Sequence, residues 1–198
     1  MATAPAPEML LDHRGNPRAT VTMPLAYEQS RLGLAFHEAG HAVLSMAYGM
    51  HVLTSEVMTW SRGADGWGVT GKTASEAHGT NPWQYAAYCA AGEIAHVQYL
   101  LTSGLWTQER ALACEADHDR EQAIDVLADF GYRLSHGCVP EGGKSWGMVQ
   151  GMARRKIGLL WREIPTVAHA MDERTLLTGD EIADLTALAN TPLLGGAA

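Results

Sequence analysis

The feature that most constrains this chain is a five-residue pattern, His37-Glu38-Ala39-Gly40-His41, inside a stretch of helical periodicity. Apolar residues recur at helical spacing from about position 24 to Gly49, which predicts a helix there. Residues four apart lie one turn apart on the same helix face, with Cβ atoms about 5–6 Å apart. Two imidazoles at that spacing can converge on one Zn²⁺ with bonds of about 2.0–2.1 Å. The pattern therefore predicts a metal-binding helix with His37 and His41 as ligands.

Glu38 lies between the two histidines and is turned about 100° around the helix from His37. At that position its carboxylate lies beside the metal without binding it. There it can take a proton from a zinc-bound water and pass it to a leaving nitrogen. Nine histidines in the chain allow a chance pair at this spacing. The intervening glutamate and the helical setting favour a metal site with Glu38 as general base.

Two histidines leave a catalytic zinc one protein ligand short of the usual three. A carboxylate or imidazole farther along the chain must supply it, and spacing alone leaves several open. A glutamate on the next helix would suit some zinc peptidases, and a carboxylate near position 117 would need a longer connection. The candidates are Glu93, His96, Glu115, Asp117, His118 and Asp119.

The remaining pattern predicts a mainly α-helical domain with a small β-hairpin beside the metal-motif helix. Residues 1–23 lack sustained periodicity and are predicted to form a flexible arm, residues 24–190 the folded domain, and residues 191–198 a frayed tail. The domain's predicted elements follow in chain order. Two short strands within 51–73 are joined by a turn at 62–66, and a helix capped by Asn81 runs from Pro82 to Gly104. A helix capped by Asp117 covers 118–130, and a loop covers 131–143. A helix over 145–163, which Pro165 breaks or restarts, is followed by a last helix with a capping box at Thr178.

Composition excludes several classes of partner. Lys+Arg number 14 against 22 Asp+Glu, a net charge of −8, whereas nucleic acids and anionic membranes both require a basic surface. The three cysteines form no C-x-x-C pair, which favours a reducing compartment. No run reaches the ~18 apolar residues of a membrane span, and the N-terminus lacks a signal-peptide pattern. We therefore expect a cytoplasmic protein with no membrane insertion.

Two segments resemble the zinc peptidase domain of FtsH-type, ATP-dependent membrane proteases. Residues 35–43, AFHEAGHAV, resemble that family's A-Y-H-E-A-G-H-A-V, and residues 116–123, ADHDREQA, resemble its A-S-N-D-L-x-x-A. The resemblance implies that Asp119 is the third zinc ligand and that Asp117 replaces a small capping residue. It also places His96 where the family has a glutamate. Residues 172–182 are similar to the family's E-K-E-T-L-x-G-E-E-I, so the resemblance covers about 25–185.

The resemblance implies a mainly helical zinc-peptidase fold, peptide-bond hydrolysis and assembly into hexameric rings. The family's ATPase module and membrane segments have no counterpart in this sequence. We therefore expect a metalloendopeptidase that needs no ATP itself and cleaves peptides, unfolded proteins, or proteins delivered by a separate ATPase. The alternative is a non-catalytic, zinc-containing module that binds peptides or partner subunits.

A second motif has a different explanation. Residues 66–73 match the phosphate-binding pattern G-x-x-x-x-G-K-[ST], but Gly79 and Pro82 interrupt any helix after it. A phosphate-binding loop needs that helix, so no nucleotide-binding residues are predicted. The resemblance instead makes this stretch a strand similar to the family's L-G-Y-T. Its exposed edge would pair with an extended substrate, unless the hairpin is purely structural. The predicted substrate-binding residues are Trp67, Gly68, Val69 and Thr70.

Overall fold

The metal-motif helix is the centre of the fold. In a computed structural model that describes residues 5–61 and 66–193, helix α1 spans Tyr27–Ala47, and every residue from 35 to 46 is buried. A helix that is buried around its whole circumference must be enclosed by other elements. Here a sheet and helices from the later part of the chain enclose it. The prediction of a mainly α fold with a small sheet is confirmed.

The sheet has three antiparallel strands in the order β2-β1-β5, with β1 at His51–Ser61, β2 at Trp67–Glu76 and β5 at Leu176–Thr178. Strands β3, at Leu134–Ser135, and β4, at Lys144–Ser145, form a separate parallel pair. The predicted hairpin is present, although β1 and β2 have 11 and 10 residues and are not short. Residues 62–65 of its predicted turn lie outside the described residues. Strand β2 is at one edge of the sheet.

The helix predicted to run from Pro82 to Gly104 is two helices, so that prediction is wrong. Helix α2 spans Pro82–Cys89 and α3 spans Ala91–Thr102, with the chain bending at Ala90. The bend lets α2 pack against the later helix α5, at Asp117–Asp129, while α3 packs against α1. Contacts distant in sequence therefore decide where α2 ends. The predicted cap is confirmed, since the Asn81 side chain accepts a hydrogen bond from the Trp83 amide at 2.9 Å.

Five further helices follow among residues 103–193: α4 at Gln108–Leu112, α5 at Asp117–Asp129, α6 at Trp146–Leu159, α7 at Glu163–Arg174 and α8 at Gly179–Thr186. The sequence did not predict α4. Asp117 is the first residue of α5 and not its cap, which corrects that prediction. Pro165 falls in the first turn of α7, where proline is tolerated. The capping box at Thr178 is confirmed, because the Thr178 amide donates to Glu181 Oε2 at 2.8 Å.

The described part of the predicted N-terminal arm packs against the domain. A 3-10 helix at Pro7–Leu10 contacts β2, and Met9 is buried. The flexibility of this segment stays a prediction, as does fraying of the tail. No helix within residues 5–61 and 66–193 is long and apolar enough to cross a membrane.

Candidate metal centre

Three side chains converge at the middle of α1 and the start of α5. The Nε2 atoms of His37 and His41 are 3.1 Å apart, and Asp119 Oδ2 lies 3.3 Å from the first and 3.2 Å from the second. All three residues are buried. The three atoms form a nearly equilateral triangle, a group that could hold a metal ion.

The triangle has the size that a tetrahedral metal requires. Bonds of about 2.0 Å at tetrahedral angles place ligand atoms about 3.3 Å apart, and the three measured separations are 3.1–3.3 Å. The His41 Nδ1 atom lies 2.9 Å from the Tyr88 carbonyl oxygen, which can only accept a hydrogen bond. Nδ1 must therefore carry the proton, and a neutral His41 presents the lone pair of Nε2 to the centre. The residues fit a bound divalent cation.

The electrostatics of the group also favour a positive charge at its centre. Burial acts to lower the pKa of His41, but the charge and hydrogen bond of Asp119 outweigh burial and raise it. Burial acts to raise the pKa of Asp119, but the neighbouring His41 and His37 hold it well below its ordinary value. Asp119 is therefore an ionised, buried carboxylate, and such a group requires a cationic partner. A proton on the imidazoles or a metal ion can satisfy it.

Of the six candidates for the third ligand, the structure brings only Asp119 into the group among the described residues. Glu93 accepts a hydrogen bond from Gln150 Nε2 at 2.9 Å. Glu93 and Glu115 both line a separate cavity of about 660 Å³. Asp117 pairs with Arg120 at 2.7 Å. These three carboxylates are therefore placed away from the centre.

The two other histidine candidates lie next to the group without completing it. His118 Nε2 is 3.2 Å from Asp119 Oδ1, the carboxylate oxygen that faces away from the triangle. His96 is buried on α3, with its ring centroid 6.4 Å from that of His37. Its Nε2 has no hydrogen-bond partner among the described residues. Burial, and to a smaller extent the charge of the nearby His37, lowers the pKa of His96 to about 3. This imidazole is therefore neutral.

Gly92 is a residue of the centre that sequence reasoning missed. A Cβ atom at this position on α3 would collide with the Nε2 atoms of both His37 and His41. The absence of a side chain therefore leaves open the space in front of the two ligand atoms. The signal in the sequence was a glycine inside a helical pattern, which often has a packing or functional reason. Its position in three dimensions could not be inferred from that signal.

Glu38 is held by a short chain of hydroxyl groups from the sheet. Thr73 Oγ1 on β2 lies 2.8 Å from Glu38 Oε2, and Ser55 Oγ on β1 lies 2.8 Å from Thr73 Oγ1. Gly71 lies against the other carboxylate oxygen, since a Cβ there would be 2.5 Å from Glu38 Oε1. The carboxylate is thus oriented from both sides. Neither Thr73 nor Ser55 was predicted, because their contact with α1 depends on how the sheet packs.

The ligand atoms and Glu38 line a cavity of about 310 Å³. Strand β2 contributes residues 71–75 to this cavity, whereas the predicted substrate-binding residues Trp67, Gly68, Val69 and Thr70 lie just before them. Trp67 makes an edge-to-face contact with Tyr27. The substrate role of these four residues stays a prediction. Residues 67–73 of the phosphate-binding pattern belong to β2, so this stretch has strand geometry and not that of a loop entering a helix.

Neither the comparison with protein-family models nor the search of curated proteins finds a match for this chain.

Proposed function

We propose that this protein is a zinc metalloendopeptidase that cleaves peptide bonds in peptides and unfolded protein segments. The observation that supports this most directly is the triangle of His37, His41 and Asp119 ligand atoms, with the Glu38 carboxylate in the same cavity. Three N/O ligands with an open fourth position are typical of catalytic zinc, whereas structural zinc sites are closed by four protein ligands. When bound, zinc polarises the scissile carbonyl and lowers the pKa of water toward about 7.

In this proposal Glu38 moves the proton. Its carboxylate accepts a proton from the attacking water and delivers it to the leaving amine nitrogen. Thr73 stabilises the ionised form through its hydrogen bond to Oε2. Gly71 allows the strand to lie against Oε1. Both contacts limit rotation of the carboxylate, which favours an oriented base.

The size of the cavity limits the substrate. A volume of about 310 Å³ suits a short segment of extended chain. Hydrolysis of such a segment requires no ATP. The hexameric ring and the separate ATPase partner that the resemblance implies remain parts of the prediction, and the chemistry at Glu38 does not depend on them.

Replacing Glu38 by glutamine tests the proposal. The Glu38→Gln chain should keep about one zinc per chain in metal analysis and lose at least about 100-fold in the rate of cleaving an unfolded protein, the usual contribution of a general base. Glu93→Gln is the matched control, because Glu93 lies on the neighbouring helix in a different cavity. It should retain both zinc and activity.

Two results would count against the proposal in different ways. Persistent cleavage by Glu38→Gln would remove Glu38 from its role as base. Zinc and peptide binding without cleavage by the wild-type chain would favour the alternative of a non-catalytic zinc-containing binding module.

A further inference from the structure

The N-terminal segment, defined here as residues 7–18, forms one wall of the metal cavity. Leu11, Asp12 and Arg18 of this segment line the same space as the metal-ligand group and Glu38. This wall belongs to a part of the chain that precedes the central helix α1. The proposed site is therefore partly covered by the protein's own chain.

This segment contacts the edge strand of the sheet at the point where a substrate strand would lie. The Met9 carbonyl accepts a hydrogen bond from Thr70 Oγ1 at 3.3 Å, and Met9 is buried. Arg18 Nη1 donates to the Gly71 carbonyl at 3.5 Å. Edge strands bind extended peptides through backbone groups, and the Gly71 carbonyl is such a group. The segment thus occupies part of the strand edge that is predicted to pair with a substrate peptide.

A basic side chain fastens the segment to α5 on the other side of the cavity. Arg14 donates from Nε and Nη2 to the two oxygens of Asp125, both at 2.7 Å, and from Nη1 to Glu121 Oε2 at 3.1 Å. His13 Nε2 is also 2.7 Å from Asp125. The hydrogen bonds from Arg14 and His13 hold the pKa of Asp125 below its ordinary value. This is the two-pronged geometry with which a carboxylate recognises a guanidinium group.

The ion pair between Arg14 and Asp125 can break and re-form. Arg14 is 45% exposed and Asp125 40% exposed, and ion pairs at such positions are weak because water and salt screen them. A turn supports the segment, since Asp12 Oδ1 accepts hydrogen bonds from the amides of Arg14 and Asn16. The turn keeps Arg14 directed at α5.

An extended peptide cannot enter while the segment is in place. Six extended residues span about 20 Å, and Leu11, Asp12 and Arg18 of the segment already line the cavity beside the metal ligands. The backbone and hydroxyl groups at positions 70 and 71 are already engaged by the segment. Binding a longer peptide therefore requires the segment to leave.

We propose that the surface beneath the N-terminal segment, made by Thr70 and Gly71 of β2 and by Glu121 and Asp125 of α5, binds extended peptides that carry basic side chains. Residues 7–18 occupy this surface in the structure and compete with such peptides. The inference deepens the proposed function by naming its substrate class, and it rests on that function only for the fate of the bound peptide.

The experiment measures binding in the zinc-loaded, full-length Glu38→Gln chain, so that cleavage does not enter. The probe is a fluorescently labelled peptide with the sequence of residues 7–18, and its binding is measured by fluorescence anisotropy. Adding Arg14→Glu should release the segment and tighten peptide binding about tenfold, because the binding-competent fraction rises. Adding Asp125→Arg to Arg14→Glu restores the charge pair in reverse and should weaken binding to the original level or below. A probe with both arginines replaced by glutamate should not bind.

A measurement without variants at the segment guards against misfolding. In the otherwise unsubstituted Glu38→Gln chain, excess unlabelled peptide should speed amide hydrogen exchange in residues 7–18 and leave α1 unchanged. Equal peptide affinity with and without Arg14→Glu, or peptide binding with no change in exchange at residues 7–18, would overturn the proposal. A wild-type chain that binds the peptide but does not cleave it would contradict the proposed function and leave this inference standing.

Discussion

Gly92→Ala is the substitution that most directly tests the metal centre. The added Cβ would collide with the Nε2 atoms of His37 and His41, whereas an ordinary contact of this kind is 3.4 Å or longer. Both rings must then retreat by about 1 Å, far beyond the ±0.2 Å tolerance of a zinc–ligand bond. The binding free energy of zinc held by four ligands is about 10–16 kcal/mol, which is roughly 3 kcal/mol per ligand. Losing one ligand should thus weaken zinc binding by at least about 100-fold.

Competition against a chelator of known zinc affinity measures this loss. Gly40→Ala is the matched control, because its Cβ would lie 2.7 Å from the Ala91 carbonyl oxygen and 2.7 Å from the Ala95 Cβ at the same interface between α1 and α3. It adds comparable packing strain without touching a ligand atom. Both variants should melt at a lower temperature, and only Gly92→Ala should lose zinc. Zinc affinity that stays at the wild-type level in Gly92→Ala, or falls equally in both variants, would refute the reasoning.

Three further substitutions test neighbouring parts of the site. Thr73→Val should lower kcat by about tenfold, because the Glu38 carboxylate loses the hydrogen bond that orients it. Thr73→Ser keeps the hydroxyl group and should restore kcat. Asp119→Asn should weaken zinc binding at least tenfold in a chelator titration, since a neutral amide replaces the anionic ligand. For His96, burial and the nearby His37 lower the folded-state pKa to about 3 from 6.5. The unfolded chain therefore binds the extra proton first, and stability falls as pH drops below 6.5. Between pH 7 and pH 5, His96→Leu should remove about 2 kcal/mol of that fall, measured by urea unfolding.

Most parts of the fold that depend on local sequence were predicted well, although the cap predicted at Asp117 was wrong and the short helix α4 was missed. The metal-motif helix follows from periodicity over neighbouring residues, and the caps at Asn81 and Thr178 follow from residue types within a single turn. His37 and His41 belong to this class, since their spacing alone brings them to the same face. Local rules failed where packing between distant segments decides the outcome, as at the bend at Ala90.

The candidate site divides in the same way. Spacing left six choices for the third ligand, and only the resemblance pointed to Asp119, because the position of α5 relative to α1 is a tertiary property. Thr73 reaches Glu38 across 35 positions of sequence, and Arg14 reaches Asp125 across 111. No periodicity or cap signals contacts of that kind. The residues that orient, cover and shape the site could therefore be found only in the folded structure.

Three glycines connect the packing of the two central helices to the chemistry between them. Gly33 and Gly40 on α1 lie against α3, and Gly92 on α3 lies against the two histidines of α1. Each glycine in a helix costs about 1 kcal/mol relative to alanine, so the three together cost about 3 kcal/mol. Gly33 and Gly40 let the two helices approach closely, and the buried contacts between α1 and α3 offset the cost of these two glycines. At Gly92 the lack of a side chain keeps the space in front of the two Nε2 atoms open. Close packing of α1 against α3 therefore accounts for the first two glycines, and at Gly92 the same lack of a side chain also leaves room for a cation at the two ligand atoms.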